Sequence, residues 1–204
     1  MAVEPGVLCG DNGVDCDFWT TERNKADEHG GKLRVGWVGK VDRNQMTVKE
    51  LGWRKIVKPL ALQLEDSCRI VENCCLPGDC LSMEGMREWY RNIDVLLVTT
   101  VQEGTPMPAL EAMACGIPVI STAVGDMPQC IIHGETGALC GTYSDNRTAA
   151  LVVEQMAGWL RKLAAERGLC VHMGDHAARK MRLSRDWRVL ATPWLRVTAQ
   201  EARR

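Results

Sequence analysis

The chain has 204 residues, 46% of them hydrophobic, which is enough to bury one sizeable core and excludes wholesale disorder. Its 25 Lys and Arg against 26 Asp and Glu leave a net charge of −1, so no global basic field suits nucleic acid. No apolar run is long enough to span a membrane.

The first residues, MAVEPGVLCG, carry Glu4 and Pro5 and have neither a basic region nor an apolar core, so they do not read as a signal peptide. The ten cysteines include no CxxC pair. In a chain of this size they are expected to be reduced, buried small hydrophobes of a cytosolic protein. The sequon Asn146-Arg147-Thr148 is then expected to be inert.

Residues 1–32 form an acidic stretch, seven acidic against three basic residues, net −4. Leu33–Val38 (LRVGWV) predicts a strand ending at Gly39. Helical periodicity over Val48–Leu64 places Leu51, Ile56, Leu60 and Leu64 on one stripe. After the loop CCLPGDC, Met83–Arg91 predicts a short helix. Asp94–Thr99 is a nearly continuous apolar strand, as expected where both faces of a sheet are covered. Thr105 and Pro106 read as an N-cap and first helical position of a helix running to Ala114, with Gly116 at its end. Ile117–Ser121 predicts another strand, Met127–His133 a short helix, and Ala138–Cys140 a strand after the turn GETG. Two longer helices follow, one with Val152, Met156, Trp159, Leu160 and Leu163 on a face, the other with Leu183, Trp187, Leu190 and Trp194 as a packing stripe. From Arg179 onward eight basic residues stand against two acidic ones, net +6. The two charged ends are either solvated faces lying near each other or, for the basic tail, a surface for an anionic membrane or an acidic partner.

Strand–helix alternation predicts a single α/β domain, Rossmann-like, with a parallel sheet flanked by helices plus C-terminal helices. Residues 1–32 form a hinge or linker, 33–165 the Rossmann-like domain, and 166–204 the C-terminal helices with the basic tail. Ligands of such sheets bind at the carboxyl ends of the strands. There the loop Val101–Thr105 carries Glu103 and Gly104, and the following helix directs free N–H groups and its positive dipole end at the same crevice, which suits a phosphate. Glu111, further along that helix, can approach the same ligand and accept hydrogen bonds from hydroxyls. A diphosphate linked to two sugars fits this combination. Gly125 allows a second close backbone approach.

The run EGTPxPxLEAMAxG, followed by IPVIST and VGxxPxxxxxGxTG, closely resembles the donor-binding half of group 1 retaining glycosyltransferases (family 4, GT-B type, with two Rossmann-like domains). The likeness includes the E-x7-E motif, Glu103 to Glu111. Asn12-Gly13-Val14-Asp15 with Phe18, Gly36–Lys40, Met86–Tyr90 and Ile93–Val95 extend it over residues 7–165. The resemblance implies a nucleotide-activated sugar as ligand. Glu103 would contact the transferred sugar and Glu111 the ribose. Gly39, Lys40, Lys49, Gly104, Thr105, Met107 and Leu110 would complete the donor site, with N–H groups of Gly104, Thr105 and Met107 on the sugar or diphosphate. Lys40, with Glu103 counted as catalytic, would neutralise the leaving group. The family's second basic residue falls on Leu51, leaving Lys49 or Arg43 as the substitute, and Pro108 offers no N–H. No metal or other cofactor is implied, because basic side chains and helix dipoles supply the positive charge.

Such enzymes bind their acceptor on a separate N-terminal Rossmann domain, and this sequence is expected to begin at the hinge that follows it. The expectation is therefore a glycosyltransferase donor domain needing that domain or a partner chain, cytoplasmic and at most peripheral to a membrane. A non-catalytic nucleotide-sugar-binding subunit or truncated remnant is the alternative, and a nucleotide-sugar epimerase of related architecture a third. In the family the final helix crosses to the other domain, so the face bearing Trp187 and Trp194 is expected to be exposed here and to drive association. Cys170, His172 and His176 offer weak metal-site spacing, and Cys74, Cys75 and Cys80 read as packed thiols.

Overall fold

The computed structural model describes residues 11–19, 31–39, 51–74 and 81–201. Lys40, Arg43, Lys49, Cys75 and Cys80 lie outside the described residues. Five strands form one sheet, β1 (Leu33–Gly39), β2 (Cys68–Cys74), β3 (Val95–Val98), β4 (Val119–Thr122) and β5 (Gly137–Cys140). They pair in parallel throughout, in the order β2-β1-β3-β4-β5. The helices are α1 (Lys58–Gln63), α2 (Met83–Arg91), α3 (Met107–Ala114), α4 (Met127–Cys130), α5 (Asn146–Ala165), α6 (Arg167–Ser184) and α7 (Trp187–Glu201), with a π-helical turn at Trp53–Val57 leading into α1.

Every residue of β3 and β4 is buried, and successive side chains alternate between two cores because a strand has a period of two. On one face Leu33, Val35, Trp37, Val95 and Leu97 pack with Ile56, Leu60 and the α5 stripe Val152, Met156, Leu160 and Leu163. On the other, Leu96 and Val98 pack with Tyr90, Leu110, Met113, Ala177 and Met181. Burial on both faces is what makes these strands read as apolar runs. The predicted stripe Leu51–Leu64 is on the first core, with Leu51 partly buried against it.

Four local expectations change. The charged residues Arg69 and Glu72 interrupt the run CRIVENC, which does not read as a strand. It is nonetheless the edge strand β2, in register with β1 from Leu33 opposite Cys68 to Gly39 opposite Cys74. The short helix after β4 stops at Cys130, not His133. Ile131 turns extended, and His133 bridges to Gly137 while its Nδ1 accepts a hydrogen bond from the Leu139 N–H (3.0 Å). Thr105 is not the N-cap of α3, a position taken by Pro106. Finally, Leu183 and Trp187 do not share one helical packing stripe. The helix breaks at Arg185, where the Val14 N–H donates to the Arg185 carbonyl (2.8 Å) and Trp187 N–H to the Val14 carbonyl (3.3 Å). The buried positions of α6 are instead Cys170, Met173, Gly174, Ala177, Ala178 and Met181. Leu183, Trp187 and Trp194 are 68%, 51% and 47% exposed.

The acidic and basic ends of the described chain meet. Asp17 pairs with Arg188 (2.6 Å) and Asp11 with the buried Arg185 (3.6 Å). Cys16, Cys68, Cys115, Cys130, Cys140 and Cys170 are free and buried. Thr148 of the sequon closes a capping box with Asp145 at the start of α5. Among the described residues no helix is long and apolar enough to cross a membrane.

Candidate functional site

In the order β2-β1-β3-β4-β5 the direction of winding reverses between β1 and β3, and loops leaving those strands diverge to open a crevice. A pocket lies at that point, lined by Trp37 and Val38 of β1, Thr99 and Thr100 after β3, and Glu103, Pro106 and Pro108 of the segment entering α3.

Thr99 organises the floor. Its hydroxyl accepts a hydrogen bond from Trp37 Nε1 (3.0 Å), and its carbonyl accepts one from the Tyr143 hydroxyl (2.8 Å). Gly52 abuts the same residue, since a Cβ there would fall 2.5 Å from the Thr99 carbonyl oxygen. At Gly39 a Cβ would fall 2.1 Å from the Trp37 ring, so only glycine lets the indole fold over the end of β1. The Thr100 carbonyl accepts from the Thr122 hydroxyl (2.7 Å), whereas its own buried Oγ1 has no hydrogen-bond partner among the described residues.

The loop bearing Glu103 is clamped from behind. Gly125, at φ +50°, packs so closely that a Cβ would stand 1.8 Å from the Gly104 carbonyl oxygen. The Asp126 N–H donates to that carbonyl (2.9 Å), and the Thr105 hydroxyl donates to Asp126 Oδ2 (2.7 Å). Arg185 holds the same carboxylate oxygen at 3.4 Å. The close approach expected of Gly125 is thus to the chain's own loop, and Thr105 spends its hydroxyl on Asp126 rather than on a helix cap. The outer side of the loop is open, with no atom of the described residues beyond its chain neighbours within 4 Å of where a Gly104 Cβ would sit. The N–H groups of Gly104, Thr105 and Met107 make no hydrogen bond among the described residues. They precede the positive end of α3, an arrangement that attracts anions.

Glu103 is half-buried at the crevice. Glu111, also half-buried, does not line the pocket. It sits beside Pro108 on α3, and Tyr90 of α2 joins the two, its hydroxyl lying 2.9 Å from Glu111 Oε2 and 3.2 Å from the Pro108 carbonyl. Burial holds the Glu111 carboxyl above its ordinary value, and the Tyr90 hydrogen bond offsets only part of that rise. Leu110 is sealed in the core and does not line the pocket. Leu51, where the family's second basic residue would fall, packs against the core. The basic candidates Lys40, Lys49 and Arg43 lie outside the described residues.

Tyr90, Asp126 and Arg185 support this site although nothing in their spacing marks them; each is brought to it by a different element. Cys170 turns inward, its thiol 3.3 Å from the Asp94 carbonyl, away from the exposed His172 and His176, whose ring centroids lie 4.1 Å apart with the planes tilted by 50°. Among the described residues no group of three or more His, Cys, Asp or Glu is placed to hold a metal ion.

The sequence matches the family described as Glycosyl transferases group 1 over residues 26–157, more than half of the chain. It is 49% identical over 79 residues to the N-acetyl-alpha-D-glucosaminyl L-malate synthase of Bacillus anthracis, covering 39% of this chain and 20% of that protein. It is 33% identical over 116 residues to the D-inositol 3-phosphate glycosyltransferase of Kribbella flavida, covering 57% of this chain and 24% of that protein. The matched stretch is therefore a quarter or less of these relatives. Among solved structures, the sucrose-phosphate synthase of Thermosynechococcus elongatus superposes with a TM-score of 0.67 at 18% identity, covering 94% of this chain and 51% of that one. Anabaena HepE in complex with UDP superposes with a TM-score of 0.63 at 13% identity, covering 92% and 56%. The C-terminal domain of a group 1 family protein from Francisella tularensis is covered completely, with 86% of this chain, a TM-score of 0.60 and 20% identity. At such identities the likeness is one of fold.

Proposed function

The chain belongs to the group 1 glycosyltransferase family, and on that premise we propose that it binds a nucleotide-activated sugar as the donor of a retaining glycosyl transfer. One observation carries this reading. Three backbone N–H groups with no hydrogen-bond partner among the described residues lie on the same loop that presents Glu103 to the crevice and at the start of α3. That is a site for a diphosphate flanked by hydroxyl-bearing groups. The complexes of Anabaena HepE with UDP and with UDP-glucose, on the same fold, support it.

In transfer, the bond between the anomeric carbon and the diphosphate oxygen breaks, and negative charge collects on the leaving group. The N–H groups of Gly104, Thr105 and Met107 stabilise that charge, Lys40 neutralises it, and Lys49 or Arg43 assists. Positive charge from these groups stands in for a metal. Glu103 accepts hydrogen bonds from hydroxyls of the transferred sugar, and Glu111 from those of the ribose.

The chain spans about half of the solved neighbours and all of the Francisella C-terminal domain, which favours donor binding as the property of this stretch. Transfer then belongs to a whole protein in which another domain or chain supplies the acceptor site. The test is calorimetric titration of the chain with UDP-, GDP- and ADP-sugars. Saturable binding of one nucleotide class is expected, and no binding of any would overturn the reading.

A further inference from the structure

Tyr90 is fully buried, its ring edge-on to Trp19 (5.6 Å between centroids) and Trp89 (5.3 Å). A phenylalanine would serve that packing equally well, yet here a hydroxyl is carried into the core. A buried hydroxyl must find a partner, because leaving it unpaired away from water destabilises the fold. This one reaches α3, where it has two acceptors, the Pro108 carbonyl at 3.2 Å and Glu111 Oε2 at 2.9 Å. It carries a single proton, and the shorter contact is to the group that bears charge, so the carboxylate is the principal acceptor.

The consequence is directional. Oε2 is tethered to α2, while the Glu111 carboxylate accepts no other hydrogen bond among the described residues, leaving Oε1 available to a ligand. We propose that Tyr90 is a positioning residue, which fixes the orientation of the Glu111 carboxylate so that its second oxygen meets the ribose hydroxyls of a bound nucleotide. This rests on the reading that Glu111 contacts the ribose.

The electrostatics agree. Burial of Glu111 favours its protonated form, and the Tyr90 hydrogen bond is the contact that opposes this. Burial first, and then Glu111 from α3 and Cys115 at the end of that helix, the titratable groups facing it among the described residues, hold the Tyr90 hydroxyl protonated. Without the Tyr90 proton, Glu111 should take up its own at a higher pH, and a neutral carboxyl is a poorer acceptor for ribose hydroxyls.

The experiment has two readouts on Tyr90→Phe. In carboxyl-carbon NMR without ligand, the Glu111 titration midpoint should move upward; an unchanged midpoint overturns the proposal. In titrations with UDP, GDP and ADP from pH 5 to 8, Tyr90→Phe should bind about three- to tenfold more weakly. Its affinity should fall away at a higher pH than that of the unaltered chain. In a Glu111→Ala background the same change should cost nothing further, and an equal loss there would show that Tyr90 acts only through the fold.

Failure of the broader reading looks different. Glu111→Ala would then bind as the unaltered chain does, or the chain would bind no nucleotide, and either result also overturns the ribose-directed role of Tyr90. Should Tyr90→Phe not fold, 3-fluorotyrosine in place of both tyrosines offers a more acidic phenol. It should shift the Glu111 midpoint downward, since Tyr143 bonds to Thr99 rather than to the carboxylate.

Discussion

Glu103 and Glu111 belong to one sequence motif but to different environments. The first stands at a crevice on a loop whose far side is clamped. The second is on a helix, half-buried and tethered to Tyr90. Their losses should therefore separate. Glu111→Ala should weaken binding of a nucleoside diphosphate and of the complete nucleotide-sugar alike, by about ten- to a hundredfold, because a charged acceptor contributes about 1.5–3 kcal/mol per bond. Glu103→Gln should weaken only the nucleotide-sugar. Calorimetry on both ligands, with circular dichroism to show that the variants fold, checks the pair of outcomes. Equal losses on both ligands for Glu103→Gln would remove it from the sugar.

At the scale of elements, the start of α3 shows how neighbours override a local signal. Ser, Thr, Asp and Asn before an apolar run are the usual marks of a helix start. Thr105 carries that mark, but Asp126 lies within hydrogen-bond reach and takes its hydroxyl, so the helix begins at Met107. At the opposite end of the sheet Asp94, just before β3, ties three elements together. It accepts bonds from the Arg34 N–H (2.7 Å) and guanidinium (2.8 Å) of β1 and from Arg167 of α6 (3.2 Å). Burial pushes its carboxyl up, but the Arg34 hydrogen bonds, with the Arg34 and Arg167 charges, outweigh this and hold it below its ordinary value. A depressed folded-state value means that Asp94 stabilises the fold above the unfolded carboxyl value of about 4 and loses that contribution as pH falls through the folded one. Urea unfolding from pH 6 to pH 2 should therefore show a shallower acid loss in Asp94→Asn than in the unaltered chain. Parallel profiles would show that this carboxylate does not set acid stability.

At the scale of the molecule, residues far apart in the chain build one support. Val14, Cys16 and Trp19 are buried against α3 and α6, Val14 bridges to the break before α7, and Arg188 holds Asp17. Trp19 packs on Tyr90, so this segment also backs the side chain that holds Glu111. Trp19→Ala removes a large buried ring and should cost about 3–5 kcal/mol in denaturant unfolding. Nucleotide affinity should drop with it as Tyr90 loses its neighbour. A cost below about 1 kcal/mol would show that the segment is not anchored as described.

The sequence by itself determined the α/β class, the strands β1, β3, β4 and β5, the long helix α5 and the stretch that carries the site. Strands covered on both faces are continuous apolar runs, and helices with one buried stripe repeat every three to four residues, so both patterns are written locally. The strand β2 was not legible, because an edge strand keeps Arg69 and Glu72 in solvent and its pairing is decided by β1. Nor was the break between α6 and α7, which depends on Val14 arriving from the other end of the chain. The two glutamates were visible as a motif. Only the tertiary structure decided that one lines the crevice and the other leans on Tyr90, and that Gly125, Asp126 and Arg185 hold the loop between them. Those contacts join elements 20 or more residues apart, and no local periodicity encodes a contact of that range.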